Sequence, residues 1–194
     1  MSDTEDDVSS VSSEESDTEM EVYHLKKLNP DDSIVKNVLE ELQETHIPMN
    51  FSRHNSGAGH SISLGRVSDR FHHMMVSSGR YDEKFPELKK AIWRLGKKIV
   101  PFRFTTVQVN YNYKTKPHFD KNNVGHSVIV GLGDYVGGDV LVSGKRYDIK
   151  YRPLMFNGAK HLHSTSAYKG NRYSLVFFRT RDIGWSKKES EKDE

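Results

Sequence analysis

The sequence predicts an α+β domain in which a β-sandwich or jelly roll follows a helical support region. From position 107 onward, short runs rich in Val, Ile, Tyr and Phe alternate with Gly, Asn and Asp at close spacing. Several short strands joined by turns read this way. Ahead of them, two stripes of apolar residues recur at helical spacing.

In chain order, Asn29-Pro30-Asp31-Asp32 offers an N-cap residue, a proline for the first helical position and acids for the first turn. Ile34, Val35, Val38, Leu39 and Leu42 then share one helical face. A second helix starts near Pro86, with Leu88, Ala91, Ile92 and Leu95 on one face and Gly96 near its end. Both stripes read as packing against a sheet. The stretch between them, 50–80, is rich in Ser, Gly, His and Arg, and 61–66 is strand-like. Strands are expected over 107–113, 126–132, 139–142, 146–150, 153–158, the segment carrying His163, and 170–178, with a turn at Gly137-Gly138.

At 194 residues the chain is expected to hold one domain, with boundaries set by composition. Residues 1–21 carry nine acidic, no basic and eight Ser or Thr residues. So polar a stretch cannot bury enough surface to offset its ordering entropy, and a disordered acidic tail is expected there. Ser9, Ser10, Ser12, Ser13, Ser16 and Thr18 lie among acids, as acidophilic kinase sites do. Residues 187–194 form a second polar tail, leaving 22–186 as the folded domain. The near-neutral total of 29 basic and 27 acidic residues hides 26 basic against 14 acidic in 22–186. A basic domain points to a polyanionic partner such as nucleic acid. Cysteine is absent, which excludes disulfides and Cys-ligated zinc. With no signal-peptide pattern or long apolar run, a cytoplasmic or nuclear location and no membrane partner are expected. Oligomeric state is not legible.

The chemistry is concentrated in His118-Phe119-Asp120, followed by His163 and Arg172. Residues i and i+2 of a strand project from the same face, so His118 and Asp120 can grip one metal ion together. An imidazole from a distant strand would complete a two-His, one-carboxylate facial triad with open positions, the geometry of non-haem Fe(II) oxygenases. One His-x-Asp among ten histidines is a weak signal alone; the strands around it give it weight. Arg172 offers a fixed, always-charged fork for a carboxylate. His161 and His163 are both available as the distal imidazole. Spacing before Arg172 excludes neither.

Over 106–179 the chain resembles the double-stranded β-helix core of the 2-oxoglutarate/Fe(II)-dependent dioxygenases. The blocks that carry the resemblance are Pro-His-Phe-Asp-Lys-Asn-Asn (117–123), Leu-Gly-Asp-Tyr-Val-Gly-Gly (132–138), Phe-Asn-Gly (156–158) and the segment from His163 to Phe178. The resemblance implies a double-stranded β-helix (jelly-roll) core with supporting N-terminal helices. It implies Fe(II) held by His118, Asp120 and His163, and 2-oxoglutarate and O2 as co-substrates. Arg172 would pair with the distal carboxylate of 2-oxoglutarate and Ser174 would add a hydroxyl donor. Asn110 and Tyr113 would make further co-substrate contacts, and Arg53, His54, Arg66 and Arg70 would flank the pocket mouth. The implied reaction releases succinate and CO2 and hydroxylates an unactivated C–H bond.

For the substrate, 118–122 and 132–138 are similar to the thymine and methylcytosine hydroxylases of the TET and J-binding-protein type, and the basic core agrees with a flipped nucleobase. The Cys-rich insert of animal TET proteins is absent from the sequence. Alternatives are a protein prolyl or lysyl hydroxylase, a nucleotide or small-molecule hydroxylase, and a non-catalytic iron or 2-oxoglutarate-binding module. An aromatic-lined basic groove would favour nucleic acid; a narrow acidic cleft would favour a basic peptide.

Overall fold

A computed structural model describes residues 22–50, 57–68, 75–77 and 80–180. The expectations for both tails, and for Arg53, His54 and Arg70, lie outside the described residues. The elements are β1 (Tyr23–His24), α1 (Ser33–Glu44), β2 (Gly57–Ser68), β3 (Met75–Ser77), α2 (Arg80–Lys84), α3 (Pro86–Ile99) and β4 (Thr106–Thr115). There follow β5 (Ser127–Gly137), β6 (Val140–Val142), β7 (Lys145–Tyr147), β8 (Leu154–Phe156), β9 (His163–Thr165) and β10 (Tyr168–Phe178).

Seven strands pair in the order β1-β8-β5-β10-β4-β2-β3, and β7-β6-β9 form a smaller sheet. Every strand pairing is antiparallel. The period-2 alternation of the central strands builds two separate layers. Ile62, Leu64, Val107, Val109, Val128, Val130, Leu132, Leu175 and Phe177 face one way, into a core shared with Val35, Val38 and Leu42 of α1 and Leu88, Ile92 and Leu95 of α3. Their neighbours face the other way, toward the small sheet. There Ile129, Leu154 and Phe156 pack with Val140, Val142 and Ile149 in a second cluster. The result is a jelly roll backed by helices, as expected.

One local expectation is corrected. The first helix starts at Ser33 rather than at Pro30, and its N-cap is Asp32, whose side chain accepts from the Ile34 N–H. Asn29 is already committed to a turn around Pro30. Its side chain accepts from the Asp31 N–H at 3.0 Å and its carbonyl from the Asp32 N–H at 3.1 Å. Gly96 lies near the end of the second helix, as expected, where its carbonyl accepts from the C-cap Val100 N–H. A Cβ at Gly96 would stand 2.5 Å from the Phe104 ring and 2.7 Å from that of Phe177, so this glycine allows the helix to approach the sheet.

Candidate active site

His118 lies just past β4, beyond Lys116-Pro117, rather than within a regular strand. Its backbone instead makes an isolated antiparallel bridge with His163, N–H to carbonyl in both directions at 3.0 Å. The extended backbone still alternates: Phe119 is 44% exposed while His118 and Asp120 turn inward. Backbone pairing therefore joins the two histidines before any side chain is considered, and their rings lie 4.3 Å apart.

The ligand atoms of His118, Asp120 and His163 lie within 4.8 Å of one another and could hold a metal ion. Asp120 Oδ1 is 3.5 Å from His118 Nε2, and Oδ2 is 3.4 Å from His163 Nε2. The outer nitrogens are committed: His118 Nδ1 is 2.7 Å from the Lys116 carbonyl and His163 Nδ1 is 2.9 Å from that of His161. An Nδ1–H donating to a carbonyl leaves the Nε2 lone pair facing Asp120, as a metal ligand needs. With a proton on Nε2 instead, as when the rings are charged, each imidazole favours the carboxylate; together they outweigh the burial that works to raise Asp120 and hold it far below the usual carboxylate range. His161 sits outside this set. It lies in the turn after Asn157, and its ring approaches the Ser143 hydroxyl at 3.5 Å.

Two supports were not singled out from the sequence. Asn123 donates its side-chain amide to Asp120 Oδ2 at 3.3 Å and to the Ser127 hydroxyl at 3.2 Å. Its place three residues after Asp120, suited to a turn, was the available signal. Gly158 accepts from the Asp120 N–H at 2.9 Å, and a Cβ there would lie 3.1 Å from Asp120 Oδ2 and 3.4 Å from the His163 ring. Gly158→Ala is therefore expected to push the carboxylate aside by a few tenths of an ångström. Metal affinity should fall roughly tenfold with the fold intact, as titration with Co(II) followed by circular dichroism would read. Unchanged affinity would show that the carboxylate relaxes freely.

The inner face of the large sheet continues the site. Arg172, Ser174, Val176 and Phe178 alternate along β10, and Arg172 is 1% exposed. The Asn110 amide donates to the Ser174 hydroxyl at 3.3 Å. Asn112, held at a positive φ of 46°, shifts the phase of β4. Tyr111 stacks outward on Tyr173, whereas Thr115 lines the same cavity as Asn110. Tyr113, one alternation before Thr115, is thereby turned inward and buried. The structure thus assembles Asn110, Tyr113, Arg172 and Ser174 on one inner face.

Arg172 makes no salt bridge among the described residues. Its Nε donates to the Gly138 carbonyl at 3.2 Å, and the guanidinium sits 5.5 Å from the ring centres of both Tyr135 and Tyr168. Burial lowers its pKa, and Tyr135 is pushed up to about 12 by the same burial, with Arg172 pulling the other way. Neither tyrosine was predicted as a site residue. The alternation 129, 131, 133, 135 along β5 was the signal for Tyr135. Arg172 Nη2, Tyr135 Oη, Asn110 Oδ1 and Tyr113 Oη are all buried without a hydrogen-bond partner. Buried polar atoms are seldom left so, and a desolvated cation among orphaned polar groups suits a bound carboxylate. By the same reasoning, two imidazoles and a carboxylate suit a first-row divalent metal.

Solved structures share this fold. NgTET1 in complex with 5mC DNA superposes with a TM-score of 0.55 at 13% identity, covering 89% of this chain and 79% of that one. An oxidoreductase of the 2OG-Fe(II) oxygenase family from Burkholderia pseudomallei gives a TM-score of 0.55 at 15% identity, over 86% and 88%. The fold is that of the 2OG-Fe(II) oxygenases. No family model and no curated protein sequence matches the chain. In the 2OG-Fe(II) oxygenase fold, then, the cavity beneath the triad measures about 70 Å³ and is lined by Asn110, Thr115, His118, Asp120, His163 and Ser174. A wider cleft of about 460 Å³ opens outside it, where Arg66, Phe119, Lys121 and Asn122 surround His118 and Asp120. Arg66 thus lines this outer cleft.

Proposed function

We propose that the protein is an Fe(II)- and 2-oxoglutarate-dependent dioxygenase that hydroxylates an unactivated C–H bond on a nucleic-acid base, thymine or 5-methylcytosine. The observation that carries this is the convergence of His118 Nε2, His163 Nε2 and the Asp120 carboxylate, with both Nδ1 atoms held by backbone carbonyls. In this reading His118, Asp120 and His163 hold the iron, and Asn123 orients the Asp120 carboxylate. Arg172 receives the distal carboxylate of 2-oxoglutarate through two charge-assisted hydrogen bonds. Ser174, Asn110 and Tyr113 supply polar contacts along its length. The cavity beside the triad has room for only a few waters, so in this reading it widens toward Arg172 when the co-substrate binds. Bound iron with 2-oxoglutarate and O2 supplies the oxidising chemistry, with succinate and CO2 released. The protein orients the co-substrate, holds Asp120 ionised and presents the substrate from the outer cleft.

The outer cleft supports the nucleobase over a protein substrate. Arg66 and Lys121 line it with Phe119 and Phe178, and Asp120 is the one acid lining it among the described residues. Such a surface suits a polyanion carrying flat rings better than a basic peptide. The test is succinate formation from 2-oxoglutarate with Fe(II) and O2, with and without thymine- or methylcytosine-containing DNA, against His118→Ala. Turnover stimulated several-fold by DNA is expected. Turnover indifferent to DNA would move a prolyl or lysyl hydroxylase to the front. Wild type equal to His118→Ala throughout would leave a non-catalytic binding module.

A further inference from the structure

A second groove, of about 500 Å³, lies where α3 meets the ends of β2 and β4. Among the described residues its charged lining comprises Arg66, Lys89, Lys97, Arg103 and Asp82. That acid is occupied: it accepts from Lys89 Nζ at 2.8 Å and from the Gly65 N–H at 3.0 Å. The apolar lining is aromatic, with Trp93 and Phe104 packed at 5.3 Å between ring centres and Phe102 beside them. Lys97 and Arg103 are exposed. The triad does not use this groove, yet the two are contiguous. Arg66 lines both the groove and the outer cleft, and Thr105 and Thr106, one on each side, bring their hydroxyls within 3.3 Å.

We propose that the groove and the outer cleft form one track for single-stranded nucleic acid, the groove holding nucleotides that flank the one presented at the triad; this rests on the nucleobase reading above. Cations at intervals along a concave path match the phosphates of a strand. An aromatic wall meets any base through its π-face, without sequence preference, but only when that base is unpaired. In a duplex the base faces are stacked away from such a wall, so the groove suits an unpaired strand. DNA and RNA strands share this chemistry, and the test separates them.

The experiment is fluorescence anisotropy with full-length protein and labelled oligothymidine or oligouridine of 2 to 12 nucleotides, beside a duplex of the same length. Affinity should rise with length up to roughly six nucleotides. The double reversal Lys97→Glu/Arg103→Glu should weaken the dodecamer at least tenfold while leaving the dinucleotide within twofold. The slope of log affinity against log salt should shrink by about 1.4, for two phosphates at about 0.7 each. Lys145→Glu, exposed on β7 in the small sheet, controls for net charge and should cost less than twofold. Equal losses for Lys145→Glu and the double reversal, allowing for the number of charges, would overturn the track. So would a duplex that binds more tightly than the strand, or a poly-glutamate peptide that binds as tightly, which would reassign the groove to an acidic protein. A groove effect in a protein that oxidises no base would remove the nucleobase reading and leave the track. Base oxidation insensitive to the double reversal would do the reverse.

Discussion

His163→Ala is expected to lower succinate formation at least a hundredfold, whereas His161→Ala should stay within about threefold of wild type. Removing one of three ligands from an open site costs more than the 10- to 100-fold typical of outer partners. His163 Nε2 stands 3.4 Å from Asp120 Oδ2, and its ring is wedged against Phe156 at 5.1 Å, so no other imidazole can take its place without moving the backbone. His161 contributes its carbonyl, which holds His163 Nδ1, and a backbone atom survives substitution. The pair thereby separates a ligand from a neighbour two residues away. Metal titration read by Co(II) absorbance should follow activity. Loss in His161→Ala with retention in His163→Ala would reverse the assignment of the distal ligand.

Arg172→Met is expected to raise the KM for 2-oxoglutarate at least a hundredfold. Two hydrogen bonds to a charged group at about 1.5–3 kcal/mol each amount to a factor of 100 or more. Stability should respond with the opposite sign. The guanidinium is buried, Nη2 has no partner, and no carboxylate bridges it among the described residues. Exchanging so desolvated a cation for an apolar side chain of similar length should leave the melting midpoint of the ligand-free protein unchanged or higher. The upward shift that 2-oxoglutarate produces in wild type should vanish in the variant. Thermal melts with and without 2-oxoglutarate read both effects. A collapsed ligand-free midpoint with an unaltered KM would make Arg172 a structural residue and remove it from the site.

Much of this was legible in the chain because alternation and helical period are local properties. The helix-facing rows of β4, β5 and β10, the stripes of α1 and α3, and the inward placing of Arg172 and Ser174 all follow from the order of side chains. Local chemistry misled where two signals competed. Asn29 and Pro30 satisfy the preferences of a helix start and of a turn equally well, and the turn took them. Gly96 lies near its helix end as read, but the rings of Phe104 and Phe177 that leave no room for a Cβ there come from distant segments.

By itself, the sequence determined the jelly-roll class, the residues able to grip a metal and the buried arginine, since each depends on residue type and on spacing within one segment. Tertiary structure decided which histidine joins Asp120, because that depends on a backbone bridge between His118 and His163, 45 positions apart in the chain. It also decided that Asn110 and Tyr113, three residues apart, share a face, through one left-handed residue at Asn112. Tyr135 and Tyr168 around Arg172, and the groove that meets the cleft at Arg66, arise only where separate strands close on one another. Spacing along a strand sets direction, whereas reach between strands is set by register and closure, and no short-range pattern encodes those.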